Sequence, residues 1–405
     1  MYCVEDIHSA LADGELRLFF QPKVSLLSGK VVGAEALIRW CRKDGTVVGP
    51  DAFLSIAESG GILHTITVEM LSQAVLTLEN ISEEFPGMSL SMNVTPNDLA
   101  THHISDLISG YLSEQRIRAQ DLQIEITESE VMTRFDNVFE DIVRLSELGI
   151  DVLMDDFGVG YSSIDRLSQL PFSSLKLDKG VVSRMSSSRQ NLNVVKSAIS
   201  MARELGMTSV AEGVESEDAF NFLVASGCAQ AQGFWISKPL DFQDYVDFLR
   251  QNRTYLGSMI GRVHQAALNV TQFRKSLVDA AFCQLVANRE VPAVPVTHTE
   301  VRLEPDNSPF GLWYYGNGQE LADMDEYKSL EHPFRTLYEQ ARELTQTVKK
   351  TGDRAAIDRQ LTDIDSTFSE LISRLHSLER ELLCGSYRAE SLAGQRSSNV
   401  IDWPK

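Results

Sequence analysis

The stretch Leu122–Asp156, LQIEITESEVMTRFDNVFEDIVRLSELGIDVLMDD, decides the fold. At its two ends lie short apolar runs, Leu122-Gln123-Ile124 and Val152-Leu153-Met154, and both run into acid: Glu125 after the first, Asp155-Asp156 after the second. Between them, Asn137 to Leu148 reads as an amphipathic helix stopped by Gly149, since glycine directly after the last apolar position is the expected C-terminal stop. Strands that alternate with helices imply a parallel sheet.

The same unit recurs on both sides. Val31-Val32 leads to Glu35, Leu90-Ser91-Met92 to Asn93, Leu175 to Lys176, Val210-Ala211 to Glu212 and Ala229-Gln230-Ala231 to Gln232. A second helix, Asn193 to Leu205, is closed by Gly206. Seven or eight such units between about Leu16 and Pro239 predict an α/β fold, a closed TIM-type (β/α)8 barrel over residues 1–250. Strand ends in such a barrel meet on one rim, so the polar residues closing each run are expected to converge.

Beyond Pro239 the texture changes. Val263, Ala267, Val270, Phe273, Leu277 and Ala281 recur at helical spacing, as do Phe334 to Val348 and Ile357 to Leu382. Prolines 292, 295, 305 and 309 make a loop. Residues 251–385 therefore read as a smaller all-α helical bundle, regulatory or dimerising, and 386–405 as a polar, frayed tail.

Bulk properties narrow the chemistry. The 405 residues carry a formal net charge of −20, which argues against a nucleic acid polymer as partner but not against a small phosphate ester held through cations. Five scattered cysteines without a CxxC pair point to a reducing cytoplasm. The polar N-terminus and the lack of a long apolar run argue against a secretory signal or membrane insertion. Glu35, Asn93, Glu125, Asp155, Asp156 and Glu212 offer the hard oxygen donors that magnesium or manganese prefers. Two such ions about 4 Å apart suit phosphodiester hydrolysis, with Lys176 a point charge for water or phosphate oxygen.

The motifs around these residues resemble one family. QPK at 21–23, EALIRW at 35–40, NVT at 93–95 and EITES at 125–129 are followed by DDFGVG at 155–160, KLD at 176–178, EGVE at 212–215 and QGFWISKP at 232–239. In this order they are similar to the EAL family of cyclic di-GMP phosphodiesterases. The resemblance implies a barrel enzyme that opens cyclic di-GMP to linear pGpG with two Mg2+ or Mn2+ ions. It implies that Glu35, Asn93, Glu125 and Asp155 hold one ion, and that Asp155, Asp156 and Glu212 hold the other. Glu212 and Lys176 would flank the attacking water, with Glu212 its base, while Glu128 braces the loop after Asp156. Gln21, Arg39 and Gln232 would contact the dinucleotide, and Glu215 would support the far rim. Val159 departs from the small hydroxyl residue usual in that loop, which would stiffen it.

The C-terminal segment, FGLWYYGNG at 310–318 before LEHPFRTLYE at 330–339, resembles a degenerate chemoreceptor zinc-binding domain. Val270, Ser308, Phe334 and Tyr338 stand near the ligand positions, so zinc is not expected there, though His264 or His332 lie nearby. A bundle packed on Trp313, Tyr314 and Tyr315 for homodimerisation is the expectation. His102 and His103, which follow a Pro-Asn-Asp turn, read as solvated loop residues.

Overall fold

The computed structural model describes residues 2–128, 135–158, 170–287, 303–350 and 353–393; Val159, Pro292, Pro295 and residues 394–405, on which the sequence reading commented, lie outside them. The chain divides into two units, Met1–Leu223 with Cys228–Leu256, and Val224–Gly227 with Gly257–Lys405.

In the first unit, β1 (Leu16–Ser25), β2 (Val31–Cys41), β3 (Val47–Val48), β4 (Ser89–Asn93), β5 (Leu122–Thr127), β6 (Asp151–Phe157), β7 (Ser174–Leu177), β8 (Thr208–Ala211) and β9 (Gln230–Ala231) form one sheet. Its order is β1-β9-β8-β7-β6-β5-β4-β2-β3, and an additional β1–β2 pairing closes it into an eight-stranded barrel with β3 as an outer ribbon. From β2 through β4 to β9 the neighbours run parallel, as the recurring unit required. The exception is β1, antiparallel to both β2 and β9. Only Leu26–Lys30 separates β1 from β2, far short of the crossover a parallel pair needs. The sequence reading expected an all-parallel sheet and began its units at Val31; the hairpin supplies the remaining stave.

Along each strand, side chains alternate between two environments. Leu90, Met92, Leu122, Ile124, Val152, Met154, Leu175 and Leu177 are buried. They alternate with Ser91, Gln123, Glu125, Asp155 and Lys176, which project into the barrel. The surrounding helices close over the apolar set with Leu71, Val75 and Leu78 from Leu63–Ile81, Val138, Ile142 and Leu145 from Phe135–Glu147, and Val195, Ile199 and Ala202 from Arg189–Glu204. The barrel interior is polar. Lys23, only 1% exposed, donates to Ser91 Oγ at 3.0 Å and Gln123 Oε1 at 2.8 Å.

The second unit contains the long helices Met259–Ala287, Glu331–Lys350 and Arg354–Ala393, and the last packs on both of the others. Phe273 stacks on Tyr338 at 4.1 Å, and Phe310, Trp313, Tyr314, Tyr327 and Phe334 continue an aromatic core. Polar composition after Ser386 suggested a frayed tail; the helix instead continues to Ala393.

One close approach fixes the β2–β4 spacing. A Cβ at Gly33 would stand 2.2 Å from the Ser89 carbonyl oxygen, whereas one at Gly110 meets nothing within 4 Å. Gly33→Ala is therefore expected to cost about 1–3 kcal/mol, read as a lower midpoint of the barrel's denaturant unfolding. Gly110→Ala, on a helix, should gain about 0.5–1 kcal/mol.

Candidate active site

A buried lysine organises the barrel mouth. Lys176, in the middle of β7, is inaccessible to solvent. Its Nζ contacts Glu125 Oε2, Glu212 Oε1 at 2.5 Å, Asp155 Oδ1 at 3.2 Å and Glu35 Oε2 at 3.4 Å. Each acid comes from a different strand or strand end. Asn93 closes β4, and its Nδ2 donates to Glu35 Oε1 at 3.1 Å. Gln232 follows β9 and donates through Nε2 to Glu35 Oε2 at 2.5 Å and Glu212 Oε1 at 3.3 Å. Glu35 itself lies within an 11-residue strand rather than at its end, because β2 runs on to Cys41.

Backbone irregularity places the paired acids. In a regular strand, neighbours such as Asp155 and Asp156 face opposite sides. Between Met154 and Phe157, however, the β6–β7 register shifts, with one extra residue on β6 opposite Lys176. Asp156 adopts a left-handed conformation with φ 57°, and its N–H donates to Asp155 Oδ1 at 2.9 Å. This is the geometry of a β-bulge, which re-aims side chains next to functional sites. Beyond it, Gly158 N–H donates to Glu128 Oε2 at 3.0 Å, and Glu128 is buried. Gly213, with φ +63°, turns the chain directly after Glu212; a Cβ there would sit 2.3 Å from Lys179 Cγ.

The electrostatics follow from this crowding. Burial pushes the Glu125 carboxyl up to about 7, with Glu35 adding to the rise and Lys176 opposing it. Glu212 is raised well above the carboxylate range by burial and then by Glu35, Asp155 and Glu125, against the pull of Lys176. Burial also acts to raise Glu35, but Lys176, the Gln232 hydrogen bond, Lys23 and Asn93 outweigh it and hold its carboxyl low. Burial opposes the charge on Lys176, yet the four acids raise it well above the usual ammonium range. The mouth thus holds more buried carboxylates than one ammonium can balance.

That imbalance suits a hard divalent ion. Glu35, Glu125 and Asp155 each bring a carboxylate oxygen within 4.8 Å of the others. Glu125 Oε1 is buried without a hydrogen-bond partner. An all-oxygen set with an unsatisfied buried oxygen fits a hard divalent cation in both charge and ligand type.

The remaining residues singled out by sequence are spread around this centre. Gln21 lies opposite Glu35 in the β1–β2 register, and its Nε2 donates to the Ser237 carbonyl at 3.2 Å. Arg39, half-buried on the Glu35 strand, donates from Nη1 to the Ile38 carbonyl at 2.8 Å. Glu215 is exposed and pairs with Lys179 at 2.8 Å. Sequence reasoning overlooked Lys23, although the period of two in β1 puts it on the same face as Gln21. The two histidines read as solvated loop residues are indeed solvent-reachable, His102 just before the His103–Ser113 helix and His103 at its first position, but both have partners. His102 Nδ1 lies 2.9 Å from the buried Asp141 Oδ1, and His103 Nδ1 lies 2.9 Å from His64 Nε2.

Comparison with known proteins places this geometry. Cyclic di-GMP phosphodiesterase RocR of Pseudomonas aeruginosa is 34% identical over 245 residues, 60% of this chain and 62% of RocR. Cyclic di-GMP phosphodiesterase NbdA of the same organism is 31% identical over 263 residues, 65% of this chain and 34% of NbdA. The chain thus spans less than two thirds of the length of either relative. A solved structure of PaMucR phosphodiesterase in complex with c-di-GMP superposes with a TM-score of 0.57 at 30% identity, covering 60% of this chain and 98% of that one. The EAL domain model matches residues 4–239, more than half of the sequence, and the chain belongs to the EAL domain family.

Proposed function

We propose that this protein hydrolyses cyclic di-GMP to linear pGpG at the barrel mouth, with two Mg2+ or Mn2+ ions. The observation that carries the reading is the convergence of four carboxylates on the buried Lys176, with Glu125 Oε1 left unpartnered. The names of RocR, NbdA and the PaMucR complex support the substrate.

Glu35, Asn93, Glu125 and Asp155 would hold one ion, and Asp155, Asp156 and Glu212 the other. When bound, the ions supply charge neutralisation at the phosphodiester and a more acidic water. The chain's own groups do the rest. Glu212, whose Oε1 is already engaged by Lys176 and Gln232, would accept the proton of the attacking water once the charge of the ions holds its raised carboxyl ionised. Lys176 Nζ keeps that carboxylate oriented and adds positive charge beside the developing oxyanion. Gln232 braces Glu35 and Glu212 together and faces the dinucleotide with its other atoms, alongside Gln21 and Arg39. Glu128 fixes the turn at Gly158, and Glu215 steadies the far rim through Lys179. The helical segment 251–385, which we take as akin to a degenerate chemoreceptor zinc-binding domain, would tune activity and carry homodimerisation. Exposed Phe282, Leu312 and Leu383 support that role. The free thiols Cys3, Cys41 and Cys228 suit a cytoplasmic setting.

Purified protein with Mn2+ should convert cyclic di-GMP to pGpG, identified by chromatography. Glu212→Gln should lower kcat by about 10²–10⁴-fold, and turnover surviving both this change and Glu35→Ala would remove the site assignment. Asp156→Asn should remove activity with little effect on folding, because asparagine tolerates the left-handed backbone. Mn2+ affinity should depend on pH with a defined sign. Below about 7 the Glu125 carboxyl holds a proton that an ion must displace, and Glu212, raised well above the carboxylate range, holds another, so affinity falls on acidification by at least about tenfold per pH unit. Calorimetry at pH 6 and pH 8 checks this, and a pH-independent affinity would contradict the Glu125 ligand role. A chain ending at Asn252 should stay active with altered regulation or oligomeric state, measured by turnover and light scattering.

A further inference from the structure

We propose that His64 and His103 form a binding site for a zinc-class transition ion (Zn2+, Cu2+ or Ni2+), apart from the acidic cluster in the barrel. His64 opens the second residue of the Leu63–Ile81 helix, and His103 is the first residue of His103–Ser113. The two residues are 39 apart in sequence, yet His64 Nε2 and His103 Nδ1 lie 2.9 Å from each other. Two imidazole nitrogens bound to one tetrahedral zinc at about 2.0–2.1 Å stand roughly 3.3 Å apart. The two nitrogens now share a hydrogen bond, and opening it with a turn of both solvent-reachable rings, so that their lone pairs converge on one point, would admit the ion.

The surroundings resemble a metal-binding histidine more than a chance surface pair. His64 Nδ1 contacts Asp98 Oδ1 at 2.8 Å, and Asp98 is 1% exposed. The carboxylate is itself fixed: Thr95 N–H, Thr95 Oγ1 and Thr67 Oγ1 donate to its Oδ2 at 3.0, 2.8 and 3.1 Å. A carboxylate can only accept at this contact, so Asp98 engages His64 through Nδ1 and Nε2 is the nitrogen that meets His103. Carboxylate–histidine–metal chains use this device to set the tautomer and raise ligand basicity. Imidazole nitrogens select Zn2+, Cu2+ and Ni2+ over the magnesium that the oxygen cluster favours. His102 meets Asp141 through its Nδ1 at 2.9 Å in the same way, but no second imidazole is recorded against its Nε2 among the described residues. With two protein ligands, the ion keeps positions for water or an outside ligand. The site lies just past β4, whose last residue is Asn93.

Copper reports the ligand type directly. The full-length protein, with Mg2+ saturating the oxygen cluster, is titrated with Cu2+ alone and followed by electron paramagnetic resonance. The expected result is one ion showing hyperfine coupling to two nitrogens. The signal should be lost in His103→Gln, a change at an exposed side chain, and in His64→Gln, and kept in His102→Asn. Asp98→Asn should weaken Cu2+ affinity by about 10–100-fold, with circular dichroism confirming that each variant is folded. A wild-type spectrum with no nitrogen coupling overturns the proposal, and so does coupling that persists in folded His103→Gln.

Discussion

The structure of the barrel mouth depends on one ammonium group sealed among acids. Four carboxylates from Glu35, Glu125, Asp155 and Glu212 meet within contact of Lys176 Nζ, in a place where water does not reach the lysine at all. Without that charge, the acids would repel one another in a medium that strengthens repulsion, and removing a buried partner is costly. Even with it, burial and then repulsion among the acids push Glu125 and Glu212 up, while Lys176, Gln232, Lys23 and Asn93 hold Glu35 low against its burial. The balance is left open in the direction that a divalent cation closes.

A second lysine underlies the first. Lys23 makes its hydrogen bonds to neutral partners, Ser91 and Gln123, and burial with repulsion from Lys176 and attraction to the acids leaves its ammonium below the usual range. The inside of this barrel is therefore a polar column instead of the layered branched side chains common in such folds. Stability has to come from the other face of each strand, where the apolar positions of β4 to β8 meet the helices. The division of labour is broad, with Leu153 an apolar exception on the Asp155 face: one face of the strands mainly carries packing, the other mainly carries polar groups.

Two departures from regular strand geometry make the charged face work. The antiparallel β1 closes the barrel through a hairpin and sets Gln21 across from Glu35. The bulge in β6 inserts Asp156 with a left-handed backbone and breaks the alternation that would separate it from Asp155. Both bring chemistry to the mouth at the expense of local regularity, and the surrounding pairings on β2, β5 and β7 hold them in place.

The sequence alone determined the alternation of strand and helix, because apolar periodicity and terminal glycines are local signals. It determined the identity of the acidic set as well, since each acid closes an apolar run and the ordered motifs are specific to one family. Tertiary structure decided which groups touch. That β1 runs antiparallel to β2 follows from the short Leu26–Lys30 connection, but that it also pairs with β9 was set by how the cylinder closes. That Glu35 sits inside a strand, that Asp155 and Asp156 share a bulge, and that Lys23 is buried beneath Lys176 all depend on register between strands distant in the chain. The pairing of His64 with His103 is of the same kind: each looks like a solvated residue in its own segment, and only the docking of two helices around Asp98 brings their nitrogens together. Local sequence encodes which residues an element offers; long-range packing sets the distances between them, and chemistry at the mouth is governed by distance.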